Sequence, residues 1–342
     1  MSKFDILICG AGGAGIHCGK VARTDGRGRV VALFEPVASQ LEKAQAEFPD
    51  ALVGDDYEKL LDQAKPDAVI VAGPDHLHAD QTIAALNHGC HVLVEKPLAT
   101  TVADAQRVLE AEKRTGLHVM SDHTMRYVHP WKEMVQAAKA GGVGEIFFVQ
   151  GDYIHDMTDY YLAQGKYSTP WRVDQQNPQN ILLGGGIHPI DLMLWAVDSP
   201  VDEVYMYSNK KCVPEFPSDD GYILIMRFAN NVMGKCFVTS GCSGPRWGEE
   251  WERMFEGFGT NGTLSRGRLH RRDKEPVEME DTSSANLIGG HGWGGSVPDF
   301  LSLLEGKIEN PITARAGARN VSICVAGMES VRTGRPQRPE WF

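Results

Sequence analysis

Several sequence features that define other protein classes are absent from this chain. No uninterrupted apolar run approaches the ~20 residues that a helix needs to cross a bilayer, so a membrane protein is not expected. The seven cysteines are scattered singly with no C-x-x-C pair, which argues against disulfide scaffolds and zinc fingers and favours reduced thiols in a cytoplasmic protein. Lys and Arg number 34 against 45 Asp and Glu, and there is no basic block. This acidic balance argues against a general nucleic-acid binder.

The remaining composition is that of an ordinary globular protein. Hydrophobic residues make up 42% and charged residues 23%, so bulk disorder is not expected. A length of 342 residues predicts two domains, and we see no internal repeat or low-complexity tract. A strand-and-glycine pattern begins within the first residues. It leaves no room for a signal peptide, so a cytoplasmic location is expected.

Residues 1–123 alternate short apolar runs with helical patterns. The runs are FDILIC (4–9), VVALF (30–34), AVIVA (68–72), HVLVE (91–95) and LHVM (117–120). Apolar runs without polar alternation are typical of strands buried on both faces, and alternating β and α units predict a parallel, doubly wound Rossmann sheet. Helices are predicted near 13–24, 37–48, 76–88 and 101–115, with Asp75 and Thr101 as N-caps and with Gly89 and Gly116 as stops.

Residues 124–342 follow a different pattern, which places the domain boundary between residues 123 and 124. Strands with polar and apolar alternation are predicted at 145–154, 201–208, 220–228, 232–240 and 252–259. Such alternation is typical of an antiparallel sheet with one face covered by helices. The helices are predicted near 130–140, 187–197, 296–306 and 313–332. The polar stretch 268–287 is expected to be an exposed loop or to contain a short edge strand.

The strongest chemical motif is GAGGAG, which directly follows the first strand and opens the first helix. In a G-x-G-x-x-G pattern, Gly10 permits the tight turn, Gly12 lets a pyrophosphate approach the backbone, and Gly15 lets the helix pack against the strand. Free N–H groups at the helix start meet the phosphate charge. The cofactor-binding residues predicted in this loop are Gly10, Gly12, Gly13, Ala14 and Gly15.

Glu35 ends the second strand, 20 residues after Gly15. At this separation a carboxylate can accept hydrogen bonds from the ribose 2′-hydroxyl, whereas it repels a 2′-phosphate. The next three residues, PVA, supply no Arg or Lys to hold that phosphate. The sequence therefore predicts NAD rather than NADP. The alternatives are a solvated acid at a strand end and a glycine-rich turn without a ligand.

Three further segments narrow the assignment: GPDHLHADQTIAAL (73–86), Glu95-Lys96-Pro97 after the fourth apolar run, and LGGGIHPIDLMLW (183–195). Together with the glycine loop and the ending AGMESVRTGRP (326–336), they resemble the Gfo/Idh/MocA oxidoreductase family over nearly the whole chain. The resemblance implies an N-terminal Rossmann domain and a C-terminal α/β domain with a large, mostly antiparallel sheet. It also implies hydride transfer between nicotinamide and a hydroxyl-bearing carbon, usually of a sugar or cyclitol.

Removing hydride from an alcohol carbon requires that the hydroxyl proton leave as well, so a base or donor must lie beside that oxygen. Lys96 lies just past a Rossmann strand, at the edge of the sheet where ligands bind. The resemblance gives this lysine the role of donor to the reacting oxygen, which makes it both catalytic and substrate-binding, next to the cofactor. The residues predicted to hold cofactor around it are Gly73, Pro74, His78 and Glu95.

His188 matches the histidine of the family's G-x-H-x-x-D segment and is predicted to be catalytic and substrate-binding. Asp191 lies three residues further on the same helix face, where it is either a catalytic partner or an ordinary packing residue. One position departs from the family: many members carry Asp four residues before this histidine, and here that residue is Gly184. Either His188 works with Lys96 alone, or another acid such as Asp174 or Asp191 supplies the charge, or the reaction is not a simple dehydrogenation.

Two further pairs resemble family segments near the cofactor and substrate. Arg126 and Tyr127 follow the last Rossmann strand, and we assign them to cofactor and substrate binding, respectively. Trp171 and Arg172 belong to a Pro-Trp-Arg segment that approaches nicotinamide or substrate in the family, and we assign them to the cofactor. Asp174 is assigned to the substrate. The Tyr-, Asp- and His-rich segment 153–167 suits sugar binding, and an exposed loop is its alternative; no metal site is expected.

Three functions remain open at this stage. The first is an NAD-dependent oxidoreductase of a sugar, cyclitol or sugar-derived polyol. The second is an NAD-dependent glycosidase or lyase that oxidises a ring carbon transiently, eliminates a group and then reduces the product. The third is a non-catalytic NAD-binding sensor. Expected partners are a small sugar, cyclitol or glycoside, with no nucleic acid and no membrane, and the resemblance implies a homodimer or homotetramer.

Overall fold

The structure is a computed structural model that describes residues 4–162, 164–165, 168–212, 218–244, 253–282 and 291–342. Contacts divide the chain into two compact units. The first unit comprises residues 1–124 with 284–318, and the second comprises residues 125–283 with 319–342. The domain boundary between residues 123 and 124 stays a prediction. Among the described residues, no helix is both long and apolar enough to span a membrane.

The first unit contains a six-stranded parallel sheet in the order β3-β2-β1-β4-β5-β6. Its strands are β1 Phe4–Cys9, β2 Gly28–Phe34, β3 Leu52–Gly54, β4 Ala68–Val71, β5 His91–Glu95 and β6 Val119–Asp122. All four residues of β4 are buried, as expected of a strand covered on both faces. The predicted doubly wound Rossmann sheet is therefore confirmed.

Helices alternate with these strands along the chain. They are α1 Gly13–Asp25, α2 Ala38–Glu47, α3 Tyr57–Ala64, α4 His78–Asn87 and α5 Val102–Thr115. Thr101 caps α5 as predicted, since its hydroxyl oxygen accepts a hydrogen bond from the Asp104 amide at 3.0 Å. The predicted cap at Asp75 is wrong, because Asp75 opens a short 3₁₀ turn and α4 follows from Leu77 without a side-chain cap.

The second unit contains an eight-stranded sheet in the order β14-β13-β12-β11-β7-β10-β9-β8, antiparallel except where β7 pairs with β10. Its strands are β7 Ile146–Ile154, β8 Val201–Asn209, β9 Gly221–Phe228, β10 Met233–Thr239, β11 Glu256–Gly259, β12 Gly262–Ser265, β13 Arg268–His270 and β14 Val277–Glu278. The stretch 268–287 supplies two short strands in place of a continuous loop, and its last residues lie outside the described residues. The mostly antiparallel sheet is confirmed.

The remaining helices are α6 Trp131–Lys139, α7 Thr158–Tyr161, α8 Ile187–Val197, α9 Trp293–Leu304 and α10 Ala314–Thr333. Nine of the eleven residues of α8 are buried, which explains why its sequence is apolar around the whole helix. A π-helical turn, Leu182–Gly186, leads into α8. Such turns are rare and frequently occur at functional sites.

Candidate active site

The glycine loop connects β1 to α1 in the first unit. Gly10 has a φ of +93°, and a Cβ on it would lie 2.5 Å from the Gly73 amide nitrogen, so only glycine fits this turn. A Cβ on Gly15 would lie 2.2 Å from the Gly10 carbonyl oxygen, which confirms the expected close packing. Gly12 is different, because a Cβ there would meet no atom within 4 Å. Space is therefore open beside Gly12, where the loop enters α1.

The loop offers backbone donors at this open position. Helix α1 begins at Gly13 after the N-cap Gly12, which has no side chain to accept from the first amides. Unpaired N–H groups at a helix start, together with the helix dipole, favour an anion. The geometry fits the diphosphate of a dinucleotide, with Gly12, Gly13 and Ala14 as the residues that would hold it.

The contrast between Gly12 and Gly15 gives a matched pair of substitutions. We expect Gly12→Ala to keep the wild-type unfolding temperature but to weaken NAD binding about tenfold or more, because the added methyl occupies the open space beside the loop. Gly15→Ala is expected to destabilise the fold by about 1–3 kcal/mol, because backbone must move. Thermal unfolding and calorimetric titration of both variants would test this. Wild-type NAD affinity in Gly12→Ala would contradict the assignment.

Glu35 directs its carboxylate at the same loop. Its Oε2 accepts a hydrogen bond from the Ala11 amide and its Oε1 accepts one from the Val37 amide, both at 3.1 Å. The carboxylate is thereby fixed at the end of β2, next to the glycine turn. A fixed acceptor in this position suits a ribose 2′-hydroxyl and is unfavourable for a 2′-phosphate.

The loops that follow β4 and β5 are joined by His78. This side chain is 1% exposed, and its two ring nitrogens lie 2.7 Å from the Pro97 carbonyl oxygen and 3.0 Å from the Gly73 carbonyl oxygen. His78 therefore connects the Glu95-Lys96-Pro97 turn to Gly73, the residue that packs against Gly10 of the glycine loop. Contact of Gly73, Pro74 or His78 with a cofactor stays a prediction.

Glu95, the last residue of β5, is positioned by a tryptophan that the sequence did not indicate. The Trp293 indole donates to Glu95 Oε1 at 2.7 Å, and the Lys96 amide donates to Oε2 at 3.2 Å. Trp293 begins α9 and stacks between the rings of His17 and His291. The Glu95 carboxylate thus fixes the backbone at Lys96, which supports a positioning role for Glu95.

A second carboxyl group lies beside Glu95. Asp122, at the end of β6, is fully buried, and one of its carboxyl oxygens, one oxygen of Glu95 and the Cys18 sulfur lie within 4.8 Å of one another. Burial, and then the charge of Glu95, raise the pKa of Asp122 well above its usual range. His129, Glu133 and Asp281 form a similar group in the second unit. The expectation of no metal stays a prediction.

Replacing Asp122 should stabilise the protein in a pH-dependent way. An Asp whose pKa is raised on folding lowers stability progressively as pH rises above its unfolded value of ~3.9. We therefore expect Asp122→Asn to raise the free energy of unfolding by about 1–3 kcal/mol near pH 8 and to give little gain near pH 4. Urea unfolding at both pH values would test this, with exposed Asp50→Asn as the control. Destabilisation by Asp122→Asn near pH 8 would show that the buried carboxylate is charged and required.

In the second unit, the predicted pair of His188 and Asp191 has a different arrangement. Asp191 is 1% exposed, and its carboxylate accepts two hydrogen bonds from the Arg126 guanidinium and one from Asn320, all at 2.7 Å. The Arg126 guanidinium also lies over the Trp195 ring. These contacts favour the packing role for Asp191 that the sequence left open. They also hold the Arg126 side chain against Asp191 and Trp195 inside the second unit. The catalytic and cofactor roles of these residues stay predictions.

His188 lies in the first turn of α8 and is 2% exposed. Its ring stacks near that of Tyr153, with centroids 6.4 Å apart, and the Tyr153 hydroxyl lies 3.0 Å from His155 Nδ1. A Cβ on Gly185 would lie 2.3 Å from the Tyr153 ring, so the glycine run lets the π turn pack on this aromatic cluster. Tyr153, the first residue of the segment 153–167 that was expected to suit sugar binding, therefore lies beside His188, and residues 163, 166 and 167 of that segment lie outside the described residues.

Gly184 makes room for a side chain that the sequence did not single out. A Cβ on Gly184 would lie 2.7 Å from Gln179 Nε2, and Gln179 is 3% exposed. The side-chain amide of Gln179 thus lies directly beside Gly184, the position at which many family members have an acid. Asp174 does not replace that acid, because it is exposed and accepts from the Gln176 and Asn177 amides of its own turn.

Arg172 bonds to this glutamine. Its Nη1 donates to Gln179 Oε1, and its guanidinium lies over the rings of Trp171 and Tyr160. The Tyr160 ring in turn meets His155 edge to face, with centroids 5.8 Å apart. Tyr127 lies partly exposed at the start of the second unit. The roles of Tyr127, Trp171 and Arg172 in binding cofactor or substrate stay predictions.

Comparisons with known proteins agree with this geometry. A model described as "Oxidoreductase family, NAD-binding Rossmann fold" (GFO_IDH_MocA) matches residues 4–123, and one for the "GFO/IDH/MocA C-terminal domain" matches residues 131–265. Inositol 2-dehydrogenase of Salmonella typhimurium is 28% identical over 229 residues, 65% of this chain and 63% of that protein. Glycosyl hydrolase family 109 protein 1 of Bacteroides thetaiotaomicron is 26% identical over 310 residues, 83% of this chain and 64% of that protein. Both matches span less than two thirds of the relative's length.

The fold also matches solved structures. The WlbA dehydrogenase of Bordetella pertussis, crystallised with NADH and UDP-GlcNAcA, aligns with a TM-score of 0.80 over 99% of each chain at 22% identity. At this identity the likeness concerns the fold. Together with the two family models, which cover the Rossmann sheet and most of the second sheet, it leads to one conclusion. The chain belongs to the Gfo/Idh/MocA family of oxidoreductases, and its first unit has the family's NAD-binding Rossmann fold.

Proposed function

We propose that this protein is an NAD-dependent oxidoreductase that transfers hydride between nicotinamide and a secondary alcohol carbon of a sugar, cyclitol or sugar derivative. One observation carries the proposal: open space and helix-start amides at Gly12 lie next to a carboxylate, Glu35, that is fixed on the same loop. The relative named inositol 2-dehydrogenase supports a polyol as the substrate class.

The cofactor, when bound, supplies the hydride acceptor, and the chain's own residues bind it and handle the proton. Amides of Gly12, Gly13 and Ala14 bind the diphosphate, and Glu35 accepts from the ribose. Lys96 directly follows strand β5. The carboxylate of Glu95, the last residue of β5, accepts a hydrogen bond from the Lys96 amide, so the backbone from which the Lys96 side chain extends is held in place. The ammonium group donates to the substrate oxygen and stabilises the charge that develops there.

His188 is the second group assigned to the proton. An imidazole titrates near neutral pH and can take the hydroxyl proton when its ring is held in one orientation. Stacking near Tyr153 and burial in the first turn of α8 restrict that ring. With Gly184 in place of the family's acid, His188 works without a carboxylate at that position.

A screen of sugars, sugar acids and inositols with NAD and NADP tests this function. Both reduced nicotinamide and organic product are measured in each reaction. We expect equal amounts of oxidised product and NADH with at least one substrate, and faster turnover with NAD than with NADP. Binding of NAD without turnover of any polyol would support the non-catalytic sensor instead.

The glycosidase or lyase alternative is favoured by Gly184 and by the glycosyl hydrolase relative. Oxidation at a ring carbon acidifies the neighbouring C–H, and the aglycone is then eliminated. In the glycosidase reaction water adds to the resulting double bond, and in either reaction the NADH formed in the first step would reduce the carbonyl group again. The same screen distinguishes the two reactions when it includes aryl glycosides. Release of the aglycone without net NADH would replace the dehydrogenase proposal with this one.

The proposed assembly is a homodimer or homotetramer. One face of the second unit's sheet presents exposed apolar side chains on neighbouring strands. These are Tyr207, Ile223, Ile225 and Met233. An apolar face of this kind fits self-association. The molar mass measured by light scattering tests the proposal, and a monomer at micromolar concentration would contradict it.

A further inference from the structure

In the described part of the chain, the guanidinium group of Arg172 forms a hydrogen bond with a neutral amide and no ion pair. Its Nη1 donates to the side-chain oxygen of Gln179, whereas its Nε is buried with no hydrogen-bond partner. No described carboxylate lies within ion-pair distance of this guanidinium. An amide oxygen accepts one of the five donor hydrogens but does not balance the charge.

Two acids that lie near Arg172 in the sequence, Asp156 and Asp174, are engaged elsewhere. Asp156 accepts hydrogen bonds from the Thr158 amide and hydroxyl and from the Gly244 amide. Asp174 accepts from two amides of its own turn. Asp174 therefore stabilises its own turn, Asp156 stabilises its own turn and also contacts the backbone at Gly244, and neither is within ion-pair distance of Arg172.

Gly184 leaves space for the Gln179 amide that Arg172 contacts. A Cβ at residue 184 would lie 2.7 Å from Gln179 Nε2, so an acid at this position would require the Gln179 side chain to shift. Arg172 thus contacts a neutral amide, that of Gln179, beside a residue that carries no charge. Relative to an acid at residue 184, glycine leaves one negative charge fewer next to Gln179.

Two described side chains of that cluster, His155 and Tyr153, are uncharged near neutral pH. Burial lowers the pKa of His155 to about 4, with the Asp156 charge opposing and the Arg172 charge adding to the shift, so His155 is uncharged near pH 7. Burial also raises the pKa of Tyr153, which lies between His155 and His188. The Arg172 guanidinium, beside uncharged aromatic rings and an amide, is suited to bind an anion.

From these contacts we infer that Arg172 binds a carboxylate of the substrate, which makes the substrate a sugar acid such as a hexuronate rather than a neutral sugar. The inference rests on the proposed function and narrows its substrate class. Arg172 would act as a specificity-determining residue: its planar fork matches a carboxylate, and the rings of Trp171 and Tyr160 hold the fork in place.

Matched pairs of sugars test this inference with the NAD-loaded protein. The pairs are glucuronate with glucose, galacturonate with galactose, and mannuronate with mannose, each differing at C6 alone. We expect kcat/KM to be at least about tenfold higher for the acid in at least one pair. A kcat/KM for the acid that is no higher than that for the neutral sugar in every pair that reacts would overturn the inference and leave the oxidoreductase proposal intact.

Two variants with the same change in charge sharpen the test. Gln179→Glu places a carboxylate on Arg172, and we expect it to lower the acid-to-neutral ratio of kcat/KM about tenfold or more. Gln175→Glu adds the same charge at an exposed residue of the same loop and should leave the ratio unchanged. Arg172→Met provides a second test if Gln179→Glu fails to fold, and it should abolish the preference. An unchanged ratio in Gln179→Glu or Arg172→Met would contradict the inference.

A binding experiment distinguishes failure of the oxidoreductase proposal from failure of the carboxylate site. If no sugar in the screen is turned over, the NADH-loaded protein is titrated by calorimetry with the same pairs of sugars. Binding of a uronate that is lost in Gln179→Glu would support the carboxylate site without the reaction. No uronate binding, or equal binding of acid and neutral sugar, would overturn the inference.

Discussion

Replacing Lys96 with Met is expected to lower kcat by about 10²–10⁴-fold, the usual contribution of a positioned proton donor or acceptor. Methionine keeps the length and apolar stem of lysine but has no ammonium group to stabilise charge on the substrate oxygen. Because the backbone at residue 96 is held by Glu95 and His78 bridges the neighbouring Pro97, the substitution should leave the loop in place. Steady-state kinetics on the best substrate of the screen measure the effect.

The Lys96→Met experiment requires evidence that cofactor binding survives. Calorimetric titration should give an NAD affinity within about threefold of wild type, since the amides of the glycine loop and Glu35 are untouched. Lys113→Met is the matched control, because Lys113 is an exposed lysine of α5 in the same unit. Full turnover in Lys96→Met would refute the catalytic assignment of Lys96.

The second large effect is expected at Glu35. Glu35→Ala removes the charged acceptor for the ribose hydroxyl, and hydrogen bonds to charged groups contribute about 1.5–3 kcal/mol. We therefore expect the Kd for NAD to rise about 10–100-fold. The Kd for NADP should change less, because the variant also loses the repulsion between the carboxylate and the 2′-phosphate.

A further variant separates recognition from loop structure. The Glu35 carboxylate also accepts from the Ala11 and Val37 amides, so its loss could loosen the loop. Glu35→Gln keeps an oxygen that can accept from an amide while it removes the charge. It loses one of the two hydrogen bonds from these amides, so it should unfold at a temperature between those of Glu35→Ala and wild type and still narrow the difference in Kd between NAD and NADP. An equal loss of affinity for both cofactors in the two variants would contradict the specificity argument.

Local sequence patterns were sufficient to predict most of the fold. Strands β1 and β5 begin and end where their apolar runs do, and α8 matches its predicted range. Strand β3 and helix α3 were missed, because β3 has three residues and α3 is only eight residues long. Strand β11 begins at Glu256, whereas the predicted strand begins at residue 252, which lies outside the described residues. Hydrophobic periodicity is a weak signal over such short segments.

In the candidate site, too, residues in local motifs could be predicted from the sequence, whereas contacts between distant residues could not. The glycine loop and Glu35 are recognisable because their spacing along the chain is a property of the motif itself. The indole of Trp293 lies 198 residues from Glu95, and Arg126 lies 65 residues from Asp191, so no local pattern connects these partners. Gln179 was overlooked for another reason: the sequence showed that an acid was missing at Gly184, but not which side chain takes its space.

Direct hydride transfer is the central claim, and an isotope experiment tests it most directly. A substrate identified in the screen is prepared with deuterium on the reacting carbon and is incubated with the protein and NAD. We expect the deuterium to appear on the nicotinamide ring of NADH, in an amount equal to the oxidised product, as measured by mass spectrometry. Release of the deuterium to water while product forms would contradict hydride transfer.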